Sequence, residues 1–245
     1  MKLLIDLGNT RLKWAAWQDG KRSVGGVFPH RQITLEQGVG NNWKALQRPR
    51  AVVIASVVDA RLEEALADLV RLRFKLEAQF VRTPARALGI VNSYAIPEQF
   101  GIDRFLALAA LHQRCAQVQI LASCGTALTL DAIDSEGRHL GGLIAPSPTL
   151  MRQALWQGTA RLQDVPGELV DSAHNTADAV YSGCLLAAVA LIERFREHIG
   201  ERMGVKPALF GDGGGIADCL ELLPDAQRER DLVMRGLALW PAAGD

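Results

Sequence analysis

The 245-residue sequence predicts an α/β protein made of two related halves. Buried strand patterns rich in β-branched residues, such as residues 51–57, alternate with helical patterns, which is typical of layered α/β folds. Residues 4–10, a buried strand that ends in a turn of small residues, have a counterpart in residues 121–126. The length allows one or two domains, and 49% hydrophobic with 22% charged residues is an ordinary globular composition.

The first half is expected to contain five strands and two helices. The strands are residues 3–5, 11–17, 24–28, 51–57 and 80–81. Asp59 is placed to cap a helix over about residues 60–73, and residues 105–115 form an apolar helical stretch. Residues 31–49, which contain Gly, Asn and Pro, are expected to be irregular.

The second half is expected to repeat the opening pattern of strand, small-residue turn and strand. The strands are residues 118–122, 127–133, 139–144 and 208–210, and the helices are about 149–157 and 176–199. The boundary falls near residues 114–118, which predicts halves of residues 1–115 and 116–245.

The charge balance and the spacing of special residues exclude several function classes. The 27 basic residues equal the 27 acidic ones, which argues against a dedicated nucleic-acid binder or a polybasic membrane-surface protein. No apolar run reaches the roughly 20 residues that span a bilayer, and the N-terminus has no signal-peptide pattern. The scattered cysteines (Cys115, Cys124, Cys184 and Cys219) predict reduced thiols in a cytoplasmic protein, and the scattered histidines do not support a zinc site.

The turn after the first strand carries groups suited to a metal-bound phosphate. Asp6 at the strand end can hold Mg²⁺, while Gly8 opens the turn and Thr10 and Lys13 add a hydroxyl and a cation. The alternative is a hairpin in which Asp and Asn only shape the turn.

Three further segments have both a chemical and a structural interpretation. Residues 211–215, a glycine-rich loop, miss the dinucleotide fingerprint because Ile216 stands where the last Gly belongs, so the loop either approaches a nucleotide or is a plain turn. Asp103 and Arg104 offer a base beside an anion clamp, or a carboxylate that caps a helix. Thr176 likewise binds a ligand or caps the long helix.

Taken in order, the motifs resemble the type III pantothenate kinases, including relatives described as Bvg accessory factor. The resemblance covers residues 3 to about 215 and rests on the segments at residues 6–10, 92–94, 101–104, 125–131, 141–146 and 175–183. The family belongs to the acetate kinase/sugar kinase/Hsp70/actin superfamily. The resemblance therefore implies two actin-like (ribonuclease H-like) halves, each a mixed sheet with helices, with the active site in the cleft between them.

The resemblance also implies a role for each matching residue. Asp103 matches the catalytic base for the pantothenate hydroxyl, and the substrate-binding positions are Tyr94, Gly101, Ile102, Asp103, Arg104 and Thr176. The ATP-binding positions are Asp6, Gly8, Asn9, Thr10, Lys13, Gly125 and Thr126, with Asp6 near Mg²⁺. Gly213 and Gly214 fall where the adenosine-side loop is expected.

The implied function is ATP-dependent phosphorylation of pantothenate, the first step of coenzyme A synthesis, by a cytoplasmic homodimer. The sequence departs from the family at Ser123, where an Asp usually binds a monovalent cation, K⁺ or NH₄⁺, and at Ala145–Pro146–Ser147, where a Gly is usual after the Pro. Two alternatives stay open: a non-catalytic regulatory protein of the same fold, and a kinase for another small hydroxylated metabolite.

Overall fold

The chain divides into two compact units in the computed structural model, which describes residues 1–159, 162–163 and 165–241. The first unit is Met1–Arg114 together with the segment that begins at Leu232, and the second is Cys115–Asp231. The predicted halves instead place the C-terminal segment with the second half.

The first unit contains seven strands, four helices and one short 3₁₀ turn among its described residues. In chain order they are β1 (Lys2–Leu7), β2 (Leu12–Gln18), β3 (Lys21–Phe28), α1 (Leu35–Trp43), β4 (Ala51–Ser56), α2 (Ala60–Phe74), β5 (Ala78–Val81), β6 (Arg86–Ala87), β7 (Ile90–Val91), the 3₁₀ turn (Pro97–Gln99), α3 (Ile102–His112) and, after the second unit, the C-terminal helix (Leu232–Leu239).

The main sheet of the first unit has the strand order β3-β2-β1-β4-β5. The strands β1, β2 and β3 form an antiparallel meander, whereas β4 and β5 run parallel to β1. Leu3, Ile5 and Leu7 of β1 pack with α1 and α2 on one face of the sheet. The carboxyl ends of the three parallel strands meet at one edge, where ligand sites of α/β sheets commonly lie.

The second unit contains five strands and three helices among its described residues. They are β8 (Gln119–Cys124), β9 (Ala127–Ile133), β10 (His139–Pro146), α4 (Pro148–Gly158), α5 (Thr176–Met203), β11 (Ala208–Asp212), α6 (Ala217–Glu221) and β12 (Gln227–Arg228); the C-terminal helix of the first unit follows as α7.

The sheet of the second unit repeats the topology of the first. Its order is β10-β9-β8-β11-β12, with an antiparallel meander of β8, β9 and β10 and two strands parallel to β8. Alternate residues of β8 and β9 face a core shared with α5 and α6. The sequence repeat between residues 4–10 and 121–126 therefore marks the same strand-turn-strand unit in both sheets.

Two helices differ from the sequence prediction. Residues 31–49 are not irregular, because α1 lies within them: Thr34 and Gln37 form a reciprocal capping box, and Leu35, Val39 and Trp43 are buried. Burial of these side chains outweighs the poor helix propensity of the Gly and Asn residues. The apolar stretch predicted at residues 105–115 starts earlier, so that Asp103 lies in the first turn of α3.

The helix α5 meets the length and composition criteria for a membrane span, alone among the helices of the described residues. The uninterrupted apolar runs in the sequence are shorter than a membrane span, whereas α5 as a whole reaches the required length and mean hydropathy. Leu185, Ala188 and Ile192 of α5 belong to the core of the second unit. Burial in this core explains why the helix is apolar.

The C-terminal helix packs tightly against α3 inside the first unit. A Cβ added at Gly236 would overlap the carbonyl oxygen of Leu106, so α7 can approach α3 this closely only with Gly at that position.

We expect Gly236→Ala to destabilise the protein by about 1–3 kcal/mol, because the added methyl forces the helices apart. Gly40 of α1 has open space around the position of a Cβ, so Gly40→Ala should instead raise the free energy of unfolding by about 0.5–1 kcal/mol. Urea unfolding measures both changes. Equal midpoints for Gly236→Ala and the wild type would contradict this packing.

Candidate active site

The hairpin between β1 and β2 places Asp6 and Lys13 side by side. The two residues are register partners across the strands, and Nζ of Lys13 lies 4.0 Å from Oδ2 of Asp6. The turn closes through the Gly8 amide, which donates to the carbonyl of Arg11 at 3.1 Å. A partly buried carboxylate, a nearby ammonium and a tight turn are thus brought to the carboxyl end of β1.

Two residues that no sequence motif marks, His30 and Arg31, hold this turn. A ring nitrogen of His30 lies 2.7 Å from the carbonyl oxygen of Gly8, and Nε of Arg31 donates to the carbonyl of Asn9 at 2.8 Å. Both residues follow β3 in the chain. No local pattern marks them, because their role depends on how the chain returns from β3.

The start of α3 brings together the predicted base and its neighbours. Gly101 precedes the helix as its N-cap and provides no side-chain cap. Asp103 is not the cap; its Oδ1 accepts from the Arg104 amide at 2.9 Å and lies 2.6 Å from the position that a Cβ of Gly101 would occupy. The carboxylate can therefore fold back over the helix start only because residue 101 is Gly.

Arg104 is held in an aromatic stack with Tyr94. The guanidinium carbon of Arg104 lies 4.8 Å from the ring centroid of Phe100, and its Nη1 is 3.4 Å from the Tyr94 hydroxyl. The Tyr94 and Phe100 rings stack with centroids 5.1 Å apart. Such cation–π contact fixes the direction of a buried guanidinium. The structure therefore groups Tyr94, Gly101, Ile102, Asp103 and Arg104 at one end of α3.

A cavity of about 460 Å³ adjoins this helix start within the first unit. Ser56 and Thr83, near the carboxyl ends of β4 and β5, line it together with Gly101. Glu63 and Arg82 also line the cavity and form a hydrogen-bonded ion pair, with 2.9 Å between Nη1 and Oε1. The bonds from Arg82 lower the pKa of the Glu63 carboxyl, so the pair stays ionised at neutral pH.

In the second unit, the glycine loop lies directly against the turn that carries Gly125 and Thr126. The Gly215 amide donates to the Cys124 carbonyl at 2.9 Å. Gly213 has φ +96°, and a Cβ there would overlap the same carbonyl. Both loops follow neighbouring parallel strands, β8 and β11, which explains why segments so distant in sequence meet at one sheet edge.

Thr176 is the first residue of α5 but does not cap it. The cap is Asn175, whose side chain accepts from the Asp178 amide at 3.0 Å. A cavity of about 190 Å³ in the second unit is lined by Thr176, Arg152 and Trp156. The purely structural interpretation of Thr176 as a helix cap is therefore wrong.

Backbone groups that can bind phosphates are thus present in each unit, and the first unit also offers the Asp6 carboxylate to a metal ion. Backbone amides in the two hairpin turns and the glycine loop suit phosphate oxygens. Among the residues that the structure describes, no three His, Cys, Asp or Glu side chains converge in the way that a metal cluster requires. A metal held by Asp6 would accordingly take its other ligands from a substrate and from water, as Mg²⁺ commonly does.

Comparison with known proteins shows which family the sequence matches. The sequence model of the type III pantothenate kinases matches residues 2–198. A type III pantothenate kinase from Stenotrophomonas maltophilia (strain K279a) is 39% identical over 248 residues, which cover 97% of this chain and 96% of that protein.

Solved structures share the fold at low identity. A Baf family protein from Campylobacter jejuni, described as a transcriptional activator, has a TM-score of 0.65 at 19% identity and covers 96% of this chain and 95% of its own. A 2-dehydro-3-deoxygalactonokinase from Sinorhizobium meliloti has a TM-score of 0.59 at 12% identity, with coverage of 100% and 99%. These structures confirm the predicted class of two actin-like halves, each a mixed sheet with helices.

The four cysteines are free thiols, and burial controls their reactivity. Loss of solvation raises the pKa of Cys124 to about 11 and that of Cys219 to about 12, and burial also raises the pKa of Cys184. A raised pKa keeps a thiol protonated and unreactive at neutral pH. Cys115 is the most exposed of the four.

We expect a disulfide reagent such as DTNB to label only Cys115 in the native protein between pH 7 and 9, and all four cysteines in denaturant. Thiol titration followed by peptide mass mapping measures this. Rapid native labelling of Cys124 would contradict the packing of the glycine loop against β8.

Proposed function

The chain belongs to the type III pantothenate kinase family, whose members phosphorylate pantothenate with ATP, and we propose that Asp103 is its catalytic base. The observation that carries this proposal is the convergence of Asp103, Arg104 and Tyr94 at the start of α3, beside the larger cavity. The enzyme works in coenzyme A biosynthesis, as its relatives do.

The chemistry of phosphoryl transfer fits this arrangement. The reaction needs a positioned acceptor hydroxyl and neutralisation of phosphate charge more than covalent help from the protein. The Asp103 carboxylate accepts the hydroxyl proton as the hydroxyl oxygen bonds to the γ-phosphorus of ATP, the bond from that phosphorus to the bridging oxygen breaks, and ADP leaves. Arg104, fixed over Phe100, offers its guanidinium to the negative charge of the acceptor or of the transferred phosphoryl group.

We assign the cavity of about 460 Å³ in the first unit to the acceptor. Pantothenate is a flexible polar chain with hydroxyl, amide and carboxylate groups. The lining supplies hydroxyls from Ser56 and Thr83 beside the apolar Val57 and Val58. The Glu63–Arg82 pair neutralises itself, so its two charges do not dominate recognition in the cavity.

We assign the two hairpin turns to the phosphates of ATP. Gly8, Asn9, Thr10 and Lys13 serve in the first unit, and Gly125 with Thr126 in the second. Gly213 and Gly214 lie beside that second turn, and we assign them to the adenosine group of ATP. Thr176 lines the cavity of about 190 Å³ in the second unit, and its proposed role as a pantothenate contact rests on the family resemblance alone.

Asp6 is suited to hold Mg²⁺, since its carboxylate is partly exposed at the end of β1 and offers hard oxygen ligands. When bound there, the ion offsets phosphate charge. The protein's own groups do the rest: Lys13 adds a cation 4.0 Å from the same carboxylate, and the turn amides orient the phosphates.

We also propose that the enzyme is a homodimer in the cytoplasm. The edge strand β10 exposes Leu143 and Ile144, and α4 exposes Leu150 and Leu155. An unpaired strand edge with apolar side chains beside an apolar helix face is a surface that a second copy covers well. The free thiols agree with a reducing compartment.

We expect Asp103→Asn to lower kcat by about 10²–10⁴-fold, because the amide cannot accept the proton. The structure should be kept, since an amide oxygen still accepts from the Arg104 amide. Steady-state kinetics and a thermal melt measure both properties.

Asp68→Asn is the matched control, because Asp68 pairs with Arg71 on the exposed surface of α2. This variant should keep the wild-type kcat. Near-normal kcat in Asp103→Asn would overturn the assignment of the base.

A further inference from the structure

Two consecutive carbonyl groups tie the turn between β1 and β2 to the segment that joins β3 to α1. The carbonyl of Gly8 accepts from Nε2 of His30 at 2.7 Å, and the carbonyl of Asn9 accepts from Nε of Arg31 at 2.8 Å. A carbonyl oxygen only accepts hydrogen bonds, so Nε2 of His30 must carry a hydrogen. Two neighbouring peptide groups of the turn are therefore held in direction by side chains from outside it.

The direction of a carbonyl fixes the direction of the amide in the same peptide group. No peptide bond among the described residues is cis, and in a trans peptide group the C=O and the N–H point in opposite directions. The Gly8 carbonyl shares its peptide group with the Asn9 amide, and the Asn9 carbonyl shares its own with the Thr10 amide. The amides of Asn9 and Thr10 therefore point away from the two side chains that hold the turn.

The arrangement of the sheet sets the side to which these amides point. The segment after β3 leads into α1, and α1 packs on the same face of the sheet as Leu7. Because side chains alternate along a strand, Asp6 lies on the opposite face, with Lys13 as its register partner on β2. Holding the carbonyls from the α1 side turns the two amides towards the side of Asp6 and Lys13.

We propose that His30 and Arg31 are positioning residues, which aim the amides of the turn at the phosphates of ATP. Neither side chain has to touch the nucleotide. Their contribution is preorganisation, because amides that already point at the phosphates need not be ordered when the nucleotide binds. The proposal rests on the assignment of this turn to ATP, and it adds the two residues that prepare the turn for phosphate.

Nucleotide binding is measured apart from catalysis with AMP-PNP, a non-hydrolysable analogue of ATP. Isothermal titration calorimetry with Mg²⁺ and without pantothenate gives the Kd for AMP-PNP. Steady-state kinetics give the KM for ATP and the KM for pantothenate separately. A residue that positions the phosphate turn should change the first two quantities and leave the KM for pantothenate unchanged, whereas a general loss of structure would change all three.

The histidine is tested by removing and then restoring its donor. His30→Phe keeps a ring and loses the N–H, so the Kd for AMP-PNP should rise by about 2- to 10-fold, which corresponds to one hydrogen bond. His30→Gln offers a side-chain amide N–H to the same carbonyl. This variant should bind AMP-PNP more tightly than His30→Phe does.

The arginine variants separate the hydrogen bond from the charge. Arg31→Met removes both and should raise the Kd for AMP-PNP by a similar factor, whereas Arg31→Gln keeps an N–H donor without the charge and should bind more tightly than Arg31→Met. Because Arg31 is exposed, these variants keep the test informative if His30→Phe folds poorly. Equal losses in Arg31→Met and Arg31→Gln would assign the effect to charge and overturn the positioning role.

Arg48→Met is the matched control, because Nη2 of Arg48 donates to the carbonyl of Lys75 at 3.1 Å, at the end of α2 and not at the turn. It should leave the Kd and both KM values unchanged. An unchanged Kd in both His30→Phe and Arg31→Met, with a wild type that binds AMP-PNP, would overturn this inference alone. A wild type that does not bind AMP-PNP would overturn the assignment of the turn to ATP as well, so the two failures give different results.

Discussion

The strand order shared by the two sheets is the constraint on which the rest of the structure depends. In each sheet a hairpin meander is followed by strands parallel to the first, so a tight turn and the ends of parallel strands occupy one edge. This order sets Asp6 near the end of β4 in the first unit. In the second unit, the same order places Ser123 beside Asp212. It also brings the glycine loop into contact with the Cys124 carbonyl.

Local patterns in the sequence predict most elements and the main candidate residues, because their signals lie within a few positions of each other. The cap of α2 at Asp59 and the hairpin after Asp6 are examples. Local patterns do not predict α1, because its stability comes from buried contacts of Trp43 and its neighbours. Nor do they predict α7, because it depends on a close approach between Gly236 and α3. Likewise, the contact of His30 with Gly8 and the pairing of Asp212 with Ser123 join distant segments, which no short window of sequence contains.

Because acidic and basic residues are equal in number, the protein must bind its anionic substrates through charges placed locally in the site. ATP and pantothenate are both anionic, but a protein of zero net charge has no overall positive field to attract them. Binding must come from placed groups: the turn amides, Lys13, and an arginine held over Phe100.

The most direct measurement of the central claim is ADP release in a coupled assay, with pantothenate compared against sugars and acetate as acceptors. The assay is run with Mg²⁺ and with K⁺ or NH₄⁺ present. The account predicts turnover that depends on pantothenate, with only background release for the other acceptors. No turnover on pantothenate with any cation, or faster turnover on a sugar, would contradict it.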